Sequence, residues 1–322
     1  MNTNSIKLAL CASGLIAAAL TAPSAPLQRA DVAAEPIWVL HVDCDGLRPT
    51  AIGQFLLAEM EKPEAKAKFA AAQTIFNFDP RKQLHGLTLY STGKAPEDGV
   101  LLAYADVDSE RLITMAKAAK DYQSTDYKQH VIHNWIDDKK KAVNGVPPRV
   151  YAAIQGGRIV VFAQQEKRVA QALDVLDRAA PNLAAGTVFA ELGADGSTHF
   201  IQAAARKMDI PDSAPSAALL RLAKMARLQV GEAQGQLRAT LNLESDSEDV
   251  AKQMMLIGQG TIALMKLVGG NPGSSKLAES LSLKQDGAGV IASMVVSTAD
   301  AIELMKADIA RKAEKKAKGE ND

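Results

Sequence analysis

The stretch Leu228-Gln-Val-Gly-Glu-Ala-Gln-Gly-Gln-Leu-Arg-Ala-Thr-Leu-Asn-Leu243 is followed by Glu244-Ser-Asp-Ser-Glu248 and an apolar-rich run to Leu267. It reads as one module. Leu228–Val230 is a strand, Gly231–Gly235 a polar turn, and Leu237–Leu243 a returning strand with period-2 alternation. Ser245-Asp-Ser-Glu248 has capping-box spacing: a hydroxyl serves the free N–H three residues on, and the carboxylate reaches back. Val250, Met254, Ile257, Thr261, Leu264 and Val268 then recur in steps of four and three, which gives one buried helical face.

The same outline occurs three more times. Leu281–Leu283, a turn at Gln285–Gly289, Val290–Val296, the cap Ser297–Asp300 and a helix through Ile302 and Met305 form one copy. Gly86–Tyr90, Thr92–Gly99, Val100–Ala105, Asp108–Glu110 and a helix from Leu112 form another. Val150–Ile154, Gly156-Gly157, Arg158–Phe162 and a helix carrying Val169, Leu173 and Leu176 form the fourth, with a weak cap at Gln164–Glu166. The copies share a pattern more than letters. Read as an internal duplication, each half holds two modules preceded by a lone strand and a helix. The fold expected is α+β with two similar domains. Each is an antiparallel sheet with helices packed on one face, a ferredoxin-like sandwich extended by a hairpin.

The chain opens with Met1–Lys7, an apolar run Leu8–Leu20 and a small-residue region, the plan of a secretory signal peptide. Val32-Ala-Ala34 is the preferred cleavage site; Ala25 is poorer because Pro26 follows. Cys11 lies inside the apolar run, which argues against a lipoprotein. The expected division is 1–34 signal peptide, 35–180 first domain, 187–310 second domain and 311–322 a charged tail. Cleavage would leave 322 − 34 = 288 residues, with 37 − 2 = 35 basic and 37 − 1 = 36 acidic side chains. That balance provides no field for nucleic acid or an anionic membrane. With Cys44 the lone remaining cysteine, no internal disulfide forms, and the protein is expected in the periplasm or outside the cell. Aromatic residues are 4% of the chain, too few for stacking platforms.

The first strand, Ile37–Cys44, places Trp38, Leu40, Val42 and Cys44 on one face and Val39, His41 and Asp43 on the other. His41 and Asp43, with His85 as a partner, are candidates for an acid–base or metal site; a solvated sheet face is the plainer reading. His130-Val-Ile-His133-Asn-Trp135 reads as a strand within Tyr127–Asp137, so His130 and His133 point to opposite faces and do not chelate together. Cys44, on the apolar face, cannot pair with His41 as a nucleophile. Ser91-Thr-Gly-Lys94 has a serine–x–x–lysine spacing but lies in a hairpin loop without the partner motifs. Gly269–Lys276 follows a helix where a phosphate loop needs a strand. Met254, Met255, Met265, Met294 and Met305 fill a core or line an apolar cavity. The helix near Ser247–Val268, apolar almost all round, is expected to lie sandwiched in a core.

Trp38–Asp43 with Leu47-Arg48, Phe78–Arg81 with Leu87–Tyr90, Glu97–Val100, His130–His133 with Trp135, and Leu173–Leu176 together resemble a group of exported proteins from planctomycete- and verrucomicrobia-type bacteria. The resemblance implies no activity.

Function is therefore read as an exported, non-catalytic binding or scaffold protein that holds a protein, a peptide or an apolar ligand, with no cofactor, metal, nucleic acid or membrane span in the mature chain. The runner-up is a periplasmic enzyme, a hydrolase using His41, Asp43, His85 or His133. An apolar-ligand carrier is the third reading.

Overall fold

The structure is a computed structural model that describes residues 25–142, 145–193, 199–206, 217–268 and 272–317. Residues 1–24, with the whole apolar run Leu8–Leu20, the loop at 211–215 and residues 269–271 of the glycine-rich turn lie outside the described residues.

In chain order, the first half has β1 (Trp38–Asp43), α1 (Cys44–Leu47), α2 (Ala51–Met60), α3 (Pro63–Phe76) and α4 (Pro80–Gln83). There follow β2 (Leu84–Ser91), β3 (Gly99–Ala105), α5 (Ser109–Lys117), β4 (Gln123–Tyr127), β5 (His130–Ile136), β6 (Arg149–Gln155), β7 (Ile159–Ala163) and α6 (Glu166–Leu176). The second half has β8 (His199–Arg206), α7 (Ala217–Leu222), β9 (Met225–Ala233), β10 (Gln236–Glu244) and α8 (Glu248–Val268). It ends with α9 (Pro272–Ser280), β11 (Leu281–Asp286), β12 (Gly289–Ser297) and α10 (Thr298–Ala317). The class is α+β, with an antiparallel sheet built from hairpins.

The strands pair in the order β11-β12-β10-β9-β8-β1-β2-β3-β7-β6-β5-β4. Each half uses one plan: a lone strand, a hairpin beside it, then a second hairpin whose returning strand pairs with the first (β3 with β7, β10 with β12). The first half adds β4–β5 at its edge. The lone strands β1 and β8 pair antiparallel from Trp38↔Ala205 to Val42↔Ile201 and so join the halves into one sheet.

The organising hairpin is longer than its composition suggests. β9 runs through Gly231 and Glu232 to Ala233, and the turn is Gln234-Gly235 alone, both at positive φ (53° and 70°). Such a two-residue turn matches the strand twist, and glycine takes the left-handed position without strain. Tyr127–Asp137 is not one strand. Lys128, at φ 54°, turns the chain between β4 and β5. The polar β4 carries no alternation that composition alone could flag.

Register assigns the faces. Val39, His41 and Asp43 share a face with Tyr90, Thr88 and Gly86 of β2, and that face continues through Val100, Leu102 and Tyr104 to Val161 and Ala163. Val169, Leu173 and Leu176 of α6 pack on it, together with Leu27, Val32, Leu183, Phe189 and Leu192. On the opposite face α5 covers Ala152, Ile154, Val160 and Phe162. The first-half sheet is thus covered on both sides, because β5, β6 and β7 carry apolar residues at successive positions. In the second half the helices keep to one face. Ala251 and Met254 of α8 pack on Ala226, Leu243 and Val290. Ala301, Ile302 and Met305 of α10 pack on Leu237, Met294 and Val296, with Ile52 of α2. The opposite face of β10 presents Arg238, Thr240 and Asn242.

α8 is not sandwiched. Leu256, Leu264 and Leu267 of its outer side are 69%, 59% and 84% exposed. Among the described residues, no helix is long and apolar enough to cross a membrane.

Candidate functional site

His41 and Asp43 are not on a solvated face. They are 1% and 5% exposed, because residues 25–33 and the segment near Leu183–Leu192 lie over that side of the sheet. His41 Nδ1 meets Thr88 Oγ1 at 2.9 Å, and Nε2 meets the Ala25 carbonyl at 2.9 Å. Burial holds its pKa below the usual value, against the Ala25 hydrogen bond and the Asp43 charge. Asp43 ends β1 and caps α1: Oδ1 accepts from Gly46 N at 2.7 Å and from Ala25 N at 3.1 Å.

Cys44 begins α1 rather than continuing the strand, because the Asp43 cap bends the chain there. Burial pushes its thiol up to about 11, so little thiolate is present at neutral pH. Asp45 is buried and accepts from Arg48 Nη1 at 2.5 Å. His85 sits at the β-bulge between Leu84 and Gly86, which re-aims its side chain. It bridges Asp45 (Nδ1, 2.9 Å) and Asp106 (Nε2, 3.0 Å). Burial pulls its pKa down, but the hydrogen bonds to Asp106 and Asp45 outweigh that and raise it. His41 and His85 therefore have different partners and different electrostatics.

His130 and His133 do point to opposite faces. His130 Nε2 meets Asp177 at 2.7 Å on the α6 side. His133 Nδ1 meets the Tyr122 hydroxyl at 2.8 Å on the α5 side, and the two rings stack 5.9 Å apart. Both are largely buried. Among the described residues, no three His, Cys, Asp or Glu side chains converge as a metal site would require.

His133 instead borders an apolar cavity of about 350 Å³. Asp108 accepts from Arg111 N at 3.0 Å and caps α5. From there Leu112, Met115, Ala116 and, just past the helix, Ala119 form the cavity roof. Trp135, Ala152, Ile154, Val160 and Phe162 form its floor. Phe76, at the end of α3, closes one side. Arg111 holds it there by donating to the carbonyls of Thr74 (2.6 Å) and Ile75 (2.8 Å) at the end of α3. Burial, with the Lys117 charge, lowers the His133 pKa, so the cavity is bordered by a neutral imidazole. The methionines noted in the second half do not line it. Met254 is wholly buried, and Met294 and Met305 pack in the α10 cluster. The floor was missed because alternation on β5–β7 marks two apolar faces, and no local signal tells which is incompletely filled.

No protein-family model matches the chain, and neither does any curated protein sequence. Among solved structures it is similar to TP0453 in crystal form III (TM-score 0.48, 11% identity, 88% of this chain and 99% of that chain). It is also similar to TP0453 in crystal form I (0.46, 9%, 88% and 98%).

Proposed function

We propose that this protein is an exported, non-catalytic binding protein whose first half holds a small apolar molecule between α5 and the β5–β6–β7 floor. The observation that carries the reading is the cavity itself. At about 350 Å³, lined by apolar side chains with a single imidazole at hand, it has the size and chemistry of a small-ligand site. The leader-like N-terminus supports export. The dispersal of His41, His85 and His133 to separate partners supports binding over catalysis. Both ring nitrogens of His85 are engaged by carboxylates, Asp45 and Asp106, so neither is open to take a proton from a substrate.

The test is titration with the fluorescent apolar probe 1-N-phenylnaphthylamine. Its emission should rise on binding, with energy transfer from Trp135. Ala116→Phe, which projects a ring from the roof, should abolish both signals while circular dichroism stays unchanged. Equal probe binding by the folded variant, or none by the wild type, would end this reading.

A further inference from the structure

The residues just before β1 are built into the core. Leu27 and Val32 are 6% and 0% exposed, and Asp31 is 6% exposed. Arg29 donates to the carbonyls of Ala190 (2.8 Å) and Leu183 (3.0 Å). Arg178 donates to Ala30 O (2.6 Å) and to Asp31 Oδ1 (2.9 Å), and the Tyr104 hydroxyl donates to Asp31 Oδ2 (3.1 Å). Leu183 N donates to Val32 O at 2.9 Å, and Ala33 bridges Asn182. Cleavage after Ala34 would remove all of this.

At the head of the segment Ala25 is gripped at both backbone ends. Its N–H donates to the buried Asp43 carboxylate (3.1 Å), and its carbonyl meets His41 Nε2 (2.9 Å). His41 is anchored in turn by Thr88 (2.9 Å). A methyl group built on Gly86 would be in ordinary van der Waals contact with His41 Cε1 (3.4 Å) and Ala25 Cβ (3.5 Å), which places Ala25 directly against β2. In the sequence, Ala22-Pro23-Ser24 places small residues one and three positions before the Ser24–Ala25 bond, the pattern leader peptidases read.

We infer that the leader is cut between Ser24 and Ala25, and that the new α-ammonium of Ala25 is held by Asp43 in a dedicated amine site. The inference rests on the export reading. A leader peptidase of the host hydrolyses the bond: water supplies hydroxyl to the Ser24 carbonyl carbon and a proton to the Ala25 nitrogen. At neutral pH the freed amine takes up a further proton, and the departing Ser24 carboxyl loses one. Residues 25–34 remain with the mature protein as the strap over β1.

The experiment is intact-mass spectrometry of the protein from the exported fraction, followed by acylation kinetics of its α-amine. A chain of residues 25–322 is expected, its amine reacting about tenfold more slowly in the folded protein than in urea, as one pKa unit of pairing requires. Asp43→Asn should restore the fast rate. If that variant fails to fold, the folded-against-urea comparison on the wild type stands alone. A mass beginning at Glu35 would leave export intact and overturn the amine site. An uncut chain retained inside the cell would sink both. Equal acylation rates folded and unfolded would refute the Asp43 pairing.

Discussion

Val32→Ala tests whether the segment before β1 belongs to the fold. Val32 is wholly buried against the cluster that includes Leu183 and α6. Alanine removes two methyl groups, about 0.8 kcal/mol each, and leaves a cavity whose walls relax only in part. The sum is about 2–3 kcal/mol, a large share of the roughly 5–15 kcal/mol that holds a typical protein folded. With a urea slope near 3 kcal/mol/M, the midpoint should fall by roughly 0.7–1 M. The assay is urea unfolding of the exported protein, followed by circular dichroism. Ile75→Ala, at a side chain 49% exposed, is the control and should move the midpoint by less than about 0.5 kcal/mol equivalent. An unchanged midpoint for Val32→Ala would refute the packing argument and with it the strap.

Two glycines on helices should respond in opposite directions. In α2, a Cβ on Gly53 would lie 1.9 Å from the Leu47 carbonyl oxygen, a backbone atom that cannot step aside. Gly53→Ala should therefore destabilise by about 1–3 kcal/mol despite alanine's helix propensity. A Cβ on Gly260 in α8 meets nothing within 4 Å, so Gly260→Ala should stabilise by about 0.5–1 kcal/mol; thermal melts of both variants check the pair. Buried His41 and His133 are held below the usual histidine pKa. Their unfolded counterparts bind protons first, so their contribution is present above about pH 6.5 and drains away as the pH falls toward their folded values. His85 works the other way, stabilising below about pH 6.5 and losing that contribution as the pH rises through its elevated folded value. The urea midpoint of wild type should drop as the pH falls below about 6.5, and His133→Gln should flatten part of that drop; an unchanged slope would count against the burial of its neutral ring.

The hairpin–helix modules were legible because their signals are local. Alternation in Leu237–Leu243, the Ser297–Asp300 cap (Ser297 Oγ accepts from Asp300 N at 3.1 Å) and the paired Gly156-Gly157 each act within a few residues. The opposite aim of His130 and His133 followed from strand geometry in the same way. Strand ends were less legible. Gly231 and Glu232 have turn-like composition, yet they pair in β9, and the Glu232 carboxylate accepts from Ala51 N (3.1 Å) and Ile52 N (3.0 Å) at the start of α2. That contact spans some 180 residues of chain, which no local pattern encodes.

The sequence by itself determined the antiparallel α+β class, the repeated module and the duplicate plan of the halves, because hydrophobic period, caps and turn residues set each element where it stands. Only the tertiary structure decided which faces are covered. His41 and Asp43 look like a wet strand face until residues 25–33 close over them. Successive apolar residues on β5–β7 could serve a packed layer or a cavity until α5 is set at its distance. Burial is a property of what lies across the gap, and the covering segment comes from elsewhere in the chain.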